Sequence, residues 1–314
     1  MGRGSGKRGE AYLNMICDFH VQYIPESVAQ HTSFFKGVWS NKDALLKFLD
    51  EKNISCAHLV YPSTDAHIKM GWDALARTYN EAIAALVKAH PKRLIGSAIL
   101  PLQTGDIKTQ LSGIKGLGFQ GVSLSSSYDG AFAVERFREI FAAAYSLDMV
   151  VFIHPQTINP IGFERVKDPL LMPVLEYSLD TSMCLGLCMM EGIFQELPDL
   201  KIVFSSLGGV IPFLRDRFDG VYSMLRKRNM VKDLGKSPSE ILKSVYVDTS
   251  GIKSTEPIGC ALDFFGEDRV LFASDYPANQ DAQSQLGALK HFSAQTQEKV
   301  LSKNFLSLFN NGKQ

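Results

Sequence analysis

The stretch MICDFHVQ, residues 15–22, is apolar and β-like where it starts and polar where it stops. Isoleucine, phenylalanine and valine favour a pleated chain, and the period of two places the side chains of His20 and Gln22 on one face. The same plan returns at MVVFIHP, residues 149–155, and at VLFASDYP, residues 270–277. Working outward from MICDF, further short runs of β character follow in SCAHLVY, LIGSAIL, FQGVSL, MVVFI, KIVFS, VYVD and RVLFA. Between them, apolar residues recur every three or four positions over 41–52, 72–90, 133–147, 212–228 and 282–308, which predicts amphipathic helices. Strands alternating with helices predict a parallel sheet with helices packed outside it. Eight repeats, with no G-x-G-x-x-G turn after the first strand, predict a closed (β/α)8 TIM barrel rather than an open doubly wound sheet.

The bulk composition agrees with that architecture. The chain has 314 residues, and 45% of them are hydrophobic, enough for a sizeable core. The glycine-rich, basic opening MGRGSGKRGEAYLN, residues 1–14, is expected to be a flexible extension outside the fold, leaving 15–314 as a single barrel domain. Thirty-three Lys and Arg balance thirty-three Asp and Glu, so no net field draws the chain to nucleic acid or to an anionic membrane. Its longest apolar runs, such as 95–102 and 149–153, fall far short of the roughly 20 residues that span a bilayer. A soluble, cytoplasmic protein is expected. Five cysteines, an odd number, fit a reducing compartment, and the Cys184-x-x-x-Cys188 pair within CLGLCMM reads as buried small hydrophobes.

A barrel's chemistry is built where its strands stop. Strand one ends in Asp18, His20 and Gln22, strand five in His154-Pro155, strand six in Ser205-Ser206-Leu207-Gly208-Gly209, and strand eight in Ser274-Asp275-Tyr276-Pro277. Two histidines and an aspartate at a barrel mouth suit a divalent ion such as zinc, iron or manganese, which would sharpen a water nucleophile or polarise a substrate oxygen. Taken singly, His154 also reads as a hydrogen-bonded loop residue and Asp275 as a helix cap. Two long loops, 21–40 with His31, Phe34, Phe35 and Trp39, and 155–169 with Arg165 and Lys167, are expected to form lids or substrate walls. Trp39 is the candidate wall residue. Ser123, Ser125, Ser126 and Ser127 end strand four, and Ser125 is a candidate hydrogen-bond partner for substrate. Asp18 is expected to orient neighbouring groups, while Asp248, Thr249 and Ser250 line the pocket or pack at its rim. His58 and His67 receive no role.

The segments DFHVQYIP, RLIGSAILPLQ, GFQGVSL, VFIHP, SSLGGVIPFLRDR, VYVDTSG and LFASDYP, in that order, resemble the amidohydrolase-related family. Its members include aminocarboxymuconate-semialdehyde decarboxylase and the hydroxybenzoate and resorcylate decarboxylases. The resemblance implies a (β/α)8 barrel, commonly a homodimer, with zinc or manganese at its mouth. Carried over by residue, it makes His20, His154 and Asp275 metal ligands, with Asp275 also a proton relay. The second histidine of the family's His-x-His pair is Gln22 here, and the histidine of its His-x-Gly-Gly motif is Ser206. Arg217 matches an arginine that holds a substrate carboxylate, in its own subunit or across a dimer. Gln22 offers only a neutral amide oxygen, so metal affinity is expected to be weakened or lost. Ser206 is no base near neutral pH without an activating partner. The catalytic candidates are thus Asp275, Ser206 and Arg217, the metal candidates His20, Gln22, His154 and Asp275, and the substrate contacts Trp39, Ser125 and Arg217. The first functional reading is a non-oxidative decarboxylase of a small aromatic or unsaturated carboxylic acid. The alternatives are a hydrolase opening a lactone or amide, or a metal-free catalyst on a small carbonyl compound, and then a non-catalytic binding protein.

Overall fold

The computed structural model describes residues 15–101, 106–164 and 167–309; the extension expected over 1–14 lies outside the described residues, as does Arg165. Eight parallel strands lie in chain order: β1 (Cys17–Gln22), β2 (Cys56–Val60), β3 (Leu94–Ala98), β4 (Gly121–Ser125), β5 (Val150–His154), β6 (Ile202–Phe204), β7 (Tyr246–Asp248) and β8 (Val270–Leu271). The ring closes between the last strand and the first. Phe19 N–H donates to Phe272 O at 2.9 Å, Asp275 N–H to His20 O at 3.1 Å, and Gln22 N–H to Tyr276 O at 2.7 Å. The structure is therefore a (β/α)8 barrel.

One principal helix follows each strand: α1 (Lys42–Glu51), α2 (Trp72–Ala89), α3 (Ile107–Gly116), α4 (Ala133–Ser146), α5 (Tyr177–Met190), α6 (Arg215–Lys227), α7 (Thr255–Phe265) and α8 (Ala282–Leu289). Asn41 starts α1 by accepting from the Ala44 N–H, and Asp106 starts α3 by accepting from Thr109. Two helical expectations change at their ends. Residues 211–214 form a separate 3-10 turn ahead of α6, with Pro212 near its start. The segment 282–308 is not one helix, because Ser293 accepts from the Thr296 N–H and begins a new one after α8. That break lets Phe305 and Leu308 fold under the barrel, where Phe305 meets Phe19 edge-on at 6.3 Å. No described helix is long and apolar enough to cross a membrane.

Alternation sorts the side chains of β5. Val150 and Phe152 join the cluster inside the ring, and Val151 and Ile153 join the layer against the helices. His154 continues the inner row at the mouth. In β1 the alternation fails, since the register shifts between Asp18 and Val21. This bulge lets two consecutive residues, Phe19 and His20, both touch the Phe152 ring, at 5.7 and 4.9 Å.

Candidate active site

At the C-terminal mouth, His20 and Gln22 from β1, His154 from β5, Asp248 from β7 and Asp275 after β8 come together. Outer partners orient both histidine rings. His20 Nδ1 donates to Asp248 Oδ2 at 3.0 Å, and His154 Nδ1 donates to the Pro155 carbonyl at 2.8 Å. Each ring turns its Nε2 toward Gln22, whose amide nitrogen lies 2.8 Å from His20 Nε2 and 3.3 Å from His154 Nε2. The same nitrogen donates to Asp275 Oδ1 at 2.9 Å, and His20 Nε2 stands 3.6 Å from that oxygen. Gln22 Oε1 is buried without a hydrogen-bond partner. Two imidazoles and a carboxylate suit a divalent metal by chemistry, and the orphaned amide oxygen is a fourth donor of the right kind. Among the described residues, no three His, Cys, Asp or Glu side chains form a ready cage by themselves.

Burial and charge set the protonation of these groups. Burial pulls His20 down, but the Asp248 carboxylate outweighs it and, with Asp275, leaves its pKa above the ordinary value. Burial pushes Asp248 up, and His20 outweighs that to hold it below the usual carboxylate range. His154 is lowered to about 3 by burial and then by its neighbour His20, so it is neutral. Burial raises Asp275 to about 6, although 25% of its side chain remains open to the cavity. A carboxyl of that kind carries a proton for part of the time near neutral pH.

The turn after β6 is strained. Ser206, Leu207, Gly208 and Gly209 all adopt positive φ, at 52°, 58°, 71° and 70°, and Asp275 does so at 63°. At Gly209 a Cβ would overlap Ser182 Oγ and the Ser178 carbonyl, so only glycine fits. The Ser206 N–H donates to Asp248 Oδ1 at 2.9 Å, and its hydroxyl lies 3.3 Å from Ser250 Oγ. No base faces that hydroxyl in these contacts. Asp18, fully buried, accepts through Oδ1 from the Ser274 N–H at 2.9 Å and the His20 N–H at 3.2 Å, tying β1 to the chain after β8.

A cavity of about 530 Å³ opens above this floor. Phe34, Phe35 and Trp39 wall one side, with Phe35 and Trp39 edge-to-face at 4.9 Å, and Pro62, Ile158, Pro173 and Tyr177 also line it. Trp39 thus stands where a substrate wall was expected, and Ser206 and Ser250 reach the lining. No Lys or Arg is among the described residues that line it. Ser125 does not line it; its hydroxyl pairs with that of Ser63, and its N–H donates to the Tyr128 hydroxyl at 2.6 Å. Ser126 and Ser127 are held by the buried Asp180. Arg217, on α6, lines a separate surface groove with Leu179, Met183, Phe218 and Val221. Asp248, expected to line the pocket or pack at its rim, instead lies under the floor and bonds His20. The signal was the shared position of VYVD at a strand end.

The chain belongs to the amidohydrolase family, whose model matches residues 66–310. It is 30% identical over 240 residues to the 2-amino-3-carboxymuconate-6-semialdehyde decarboxylase of Dictyostelium discoideum, covering 74% of this chain and 65% of that protein, just under two thirds of its length. It is 27% identical to the gamma-resorcylate decarboxylase of Rhodococcus jostii, covering 81% of this chain and 85% of the relative. Among solved structures, the 5-carboxyvanillate decarboxylase of Novosphingobium aromaticivorans, complexed with manganese and 4-hydroxy-3-methoxy-5-nitrobenzoic acid, superposes with a TM-score of 0.77 at 22% identity. That superposition covers 94% of this chain and 96% of the other. These relatives are carboxy-lyases of the amidohydrolase superfamily.

Proposed function

We propose that the chain is a carboxy-lyase that removes carbon dioxide, without oxidation, from a small aromatic or unsaturated carboxylic acid. The observation that carries this reading is the convergence of the His20 and His154 ring nitrogens with the Asp275 carboxyl beneath an aromatic-walled cavity. A flat acid suits the wall of Phe34, Phe35 and Trp39. Its carboxylate needs positive charge, and no described lining side chain is a Lys or Arg. A divalent ion, zinc or manganese, would supply that charge and draw electron density from the breaking bond. His20, His154 and Asp275 would hold it.

Asp275, a quarter of whose side chain stays open to the cavity, carries the proton for the reaction. As the bond between ring carbon and carboxylate breaks, its electron pair stays on the carbon and takes the Asp275 proton. Carbon dioxide leaves, and the Asp275 carboxylate recovers a proton from water. His20, paired to Asp248, keeps its ring orientation throughout. The apolar walls limit water, which strengthens each charge at the floor.

We also place a homodimer contact on the face of α5 and α6, where Leu179, Met183, Val221 and Met224 are exposed together with Arg217 near them. An arginine there is positioned to serve a partner's site rather than its own cavity. The function is tested by carbon dioxide release from a panel of hydroxybenzoates and unsaturated acids, with protein reconstituted in Mn²⁺ or Zn²⁺. Release from at least one acid is expected. Turnover confined to lactones or amides would assign a hydrolase, and tight binding without turnover a binding protein.

A further inference from the structure

The amide nitrogen of Gln22 faces three polar neighbours with only two hydrogens. Its nitrogen lies 2.8 Å from His20 Nε2, 3.3 Å from His154 Nε2 and 2.9 Å from Asp275 Oδ1. Both histidines use their Nδ1 protons elsewhere, on Asp248 and on the Pro155 carbonyl. A primary amide has only two N–H donors for these three neighbours. Meanwhile Gln22 Oε1 is buried and unpartnered in a side chain that is 3% exposed. The oxygen end of the amide is unsatisfied, and its nitrogen sits at the point shared by the three metal-competent side chains.

We propose that Gln22 is a built-in stand-in for the cation: its N–H group holds the donors together in the metal-free protein and must withdraw before a divalent ion binds. This rests on the metal-dependent reading of the site given above. Weak metal affinity then comes chiefly from competition by the chain's own amide, not from the lack of one imidazole. The two explanations predict opposite results for one substitution. If Gln22 is only a poor ligand, Gln22→Ala removes a donor and weakens binding. If Gln22 is a competitor, Gln22→Ala removes the competitor and strengthens it, with water completing the coordination shell.

Mn²⁺ titration of the full chain, followed by electron paramagnetic resonance of the free ion, reads this directly. Gln22→Ala is expected to bind Mn²⁺ at least tenfold more tightly than the unsubstituted protein, and Gln22→Glu, which has no N–H and adds a charged oxygen, more tightly still. An affinity for Gln22→Ala equal to or below that of the unsubstituted protein overturns the proposal while leaving the metal reading intact. If none of the three proteins binds Mn²⁺, the metal reading fails and the proposal with it. Should Gln22→Ala not fold, the side-chain amide signal of Gln22 in ¹⁵N–¹H spectra decides, assigned by its loss in Gln22→Glu. Saturation with Zn²⁺ is expected to shift this signal and speed its exchange with solvent; an unchanged signal overturns the proposal.

Discussion

His58 and His154 are both buried on barrel strands, and burial lowers each to about 3. They differ in how their ring nitrogens are used. His58 Nδ1 donates to the Phe19 carbonyl at 3.2 Å, and its Nε2 accepts from Ser97 Oγ at 2.7 Å, so both nitrogens have a partner of their own. His154 satisfies Nδ1 on Pro155 and leaves Nε2 to share one amide with His20 and Asp275. The first histidine completes its bonding within the core, and the second presents a lone pair to a cavity. Depth and pKa do not separate a structural histidine from a chemical one; the bonding left incomplete does.

The largest effect is expected at the proton carrier: Asp275→Asn should lower carbon dioxide release by about 10³-fold while the melting temperature stays close to that of the unsubstituted protein. His154→Ala should follow, with a loss of roughly 10²-fold in turnover and of metal binding by dialysis. A purely structural loss in His154→Ala, with turnover per folded molecule retained, would break the contrast drawn above. His58→Ala should do the reverse, costing about 2–4 kcal/mol in urea unfolding through a cavity and an unpaired Ser97 hydroxyl, with kcat of the folded enzyme changed less than about twofold.

Acid sharpens the same contrast. With a folded pKa of about 3 against an ordinary 6.5, His58 binds its proton more readily in the unfolded chain, so stability is complete above 6.5 and falls as pH drops toward 3. Between pH 6.5 and 4.5 this one residue removes roughly 2–3 kcal/mol, at about 1.4 kcal/mol per unit. Parallel urea titrations should show His58→Gln losing that much less than the unsubstituted protein over the same interval. The smallest effect on the site is expected from Met183→Lys, which should convert a homodimer to a folded monomer in light scattering and leave the melting temperature nearly unchanged. A dimer that persists would remove the α5–α6 face from consideration.

Much of the ring was legible because each strand is a compact apolar run with turn residues after it. The polar side chains at strand ends were legible by the same logic, and His20, Gln22, His154 and Asp275 do meet. What escaped were facts that need the ring closed. Asp248 and His20 are 228 positions apart, and nothing local marks them as partners. The bulge in β1 defeats simple alternation, so the inward turn of both Phe19 and His20 could not be read from a period of two. Helix α5 leaves no signature in the chain, because YSLDTSMCLGLCMM is apolar on nearly every face and has no amphipathic stripe. Ser125 looked available in the chain, yet the fold consumes its hydroxyl on Ser63. Arg217 keeps its place on α6, but the groove it lines is separate from the cavity.

The seam between the first and last strands has a further consequence for how the protein comes into being. Gln22 and Asp275 meet across 253 positions of sequence, at the place where the ring is sealed. A nascent chain that has left the ribosome as far as α6 already owns His20, Gln22 and His154, but not the carboxylate. Such an intermediate has two imidazoles and an amide with no anion between them, and so cannot assemble the complete donor set. The protein's chemistry is in this sense a receipt for finished synthesis, issued only when the final strand has docked.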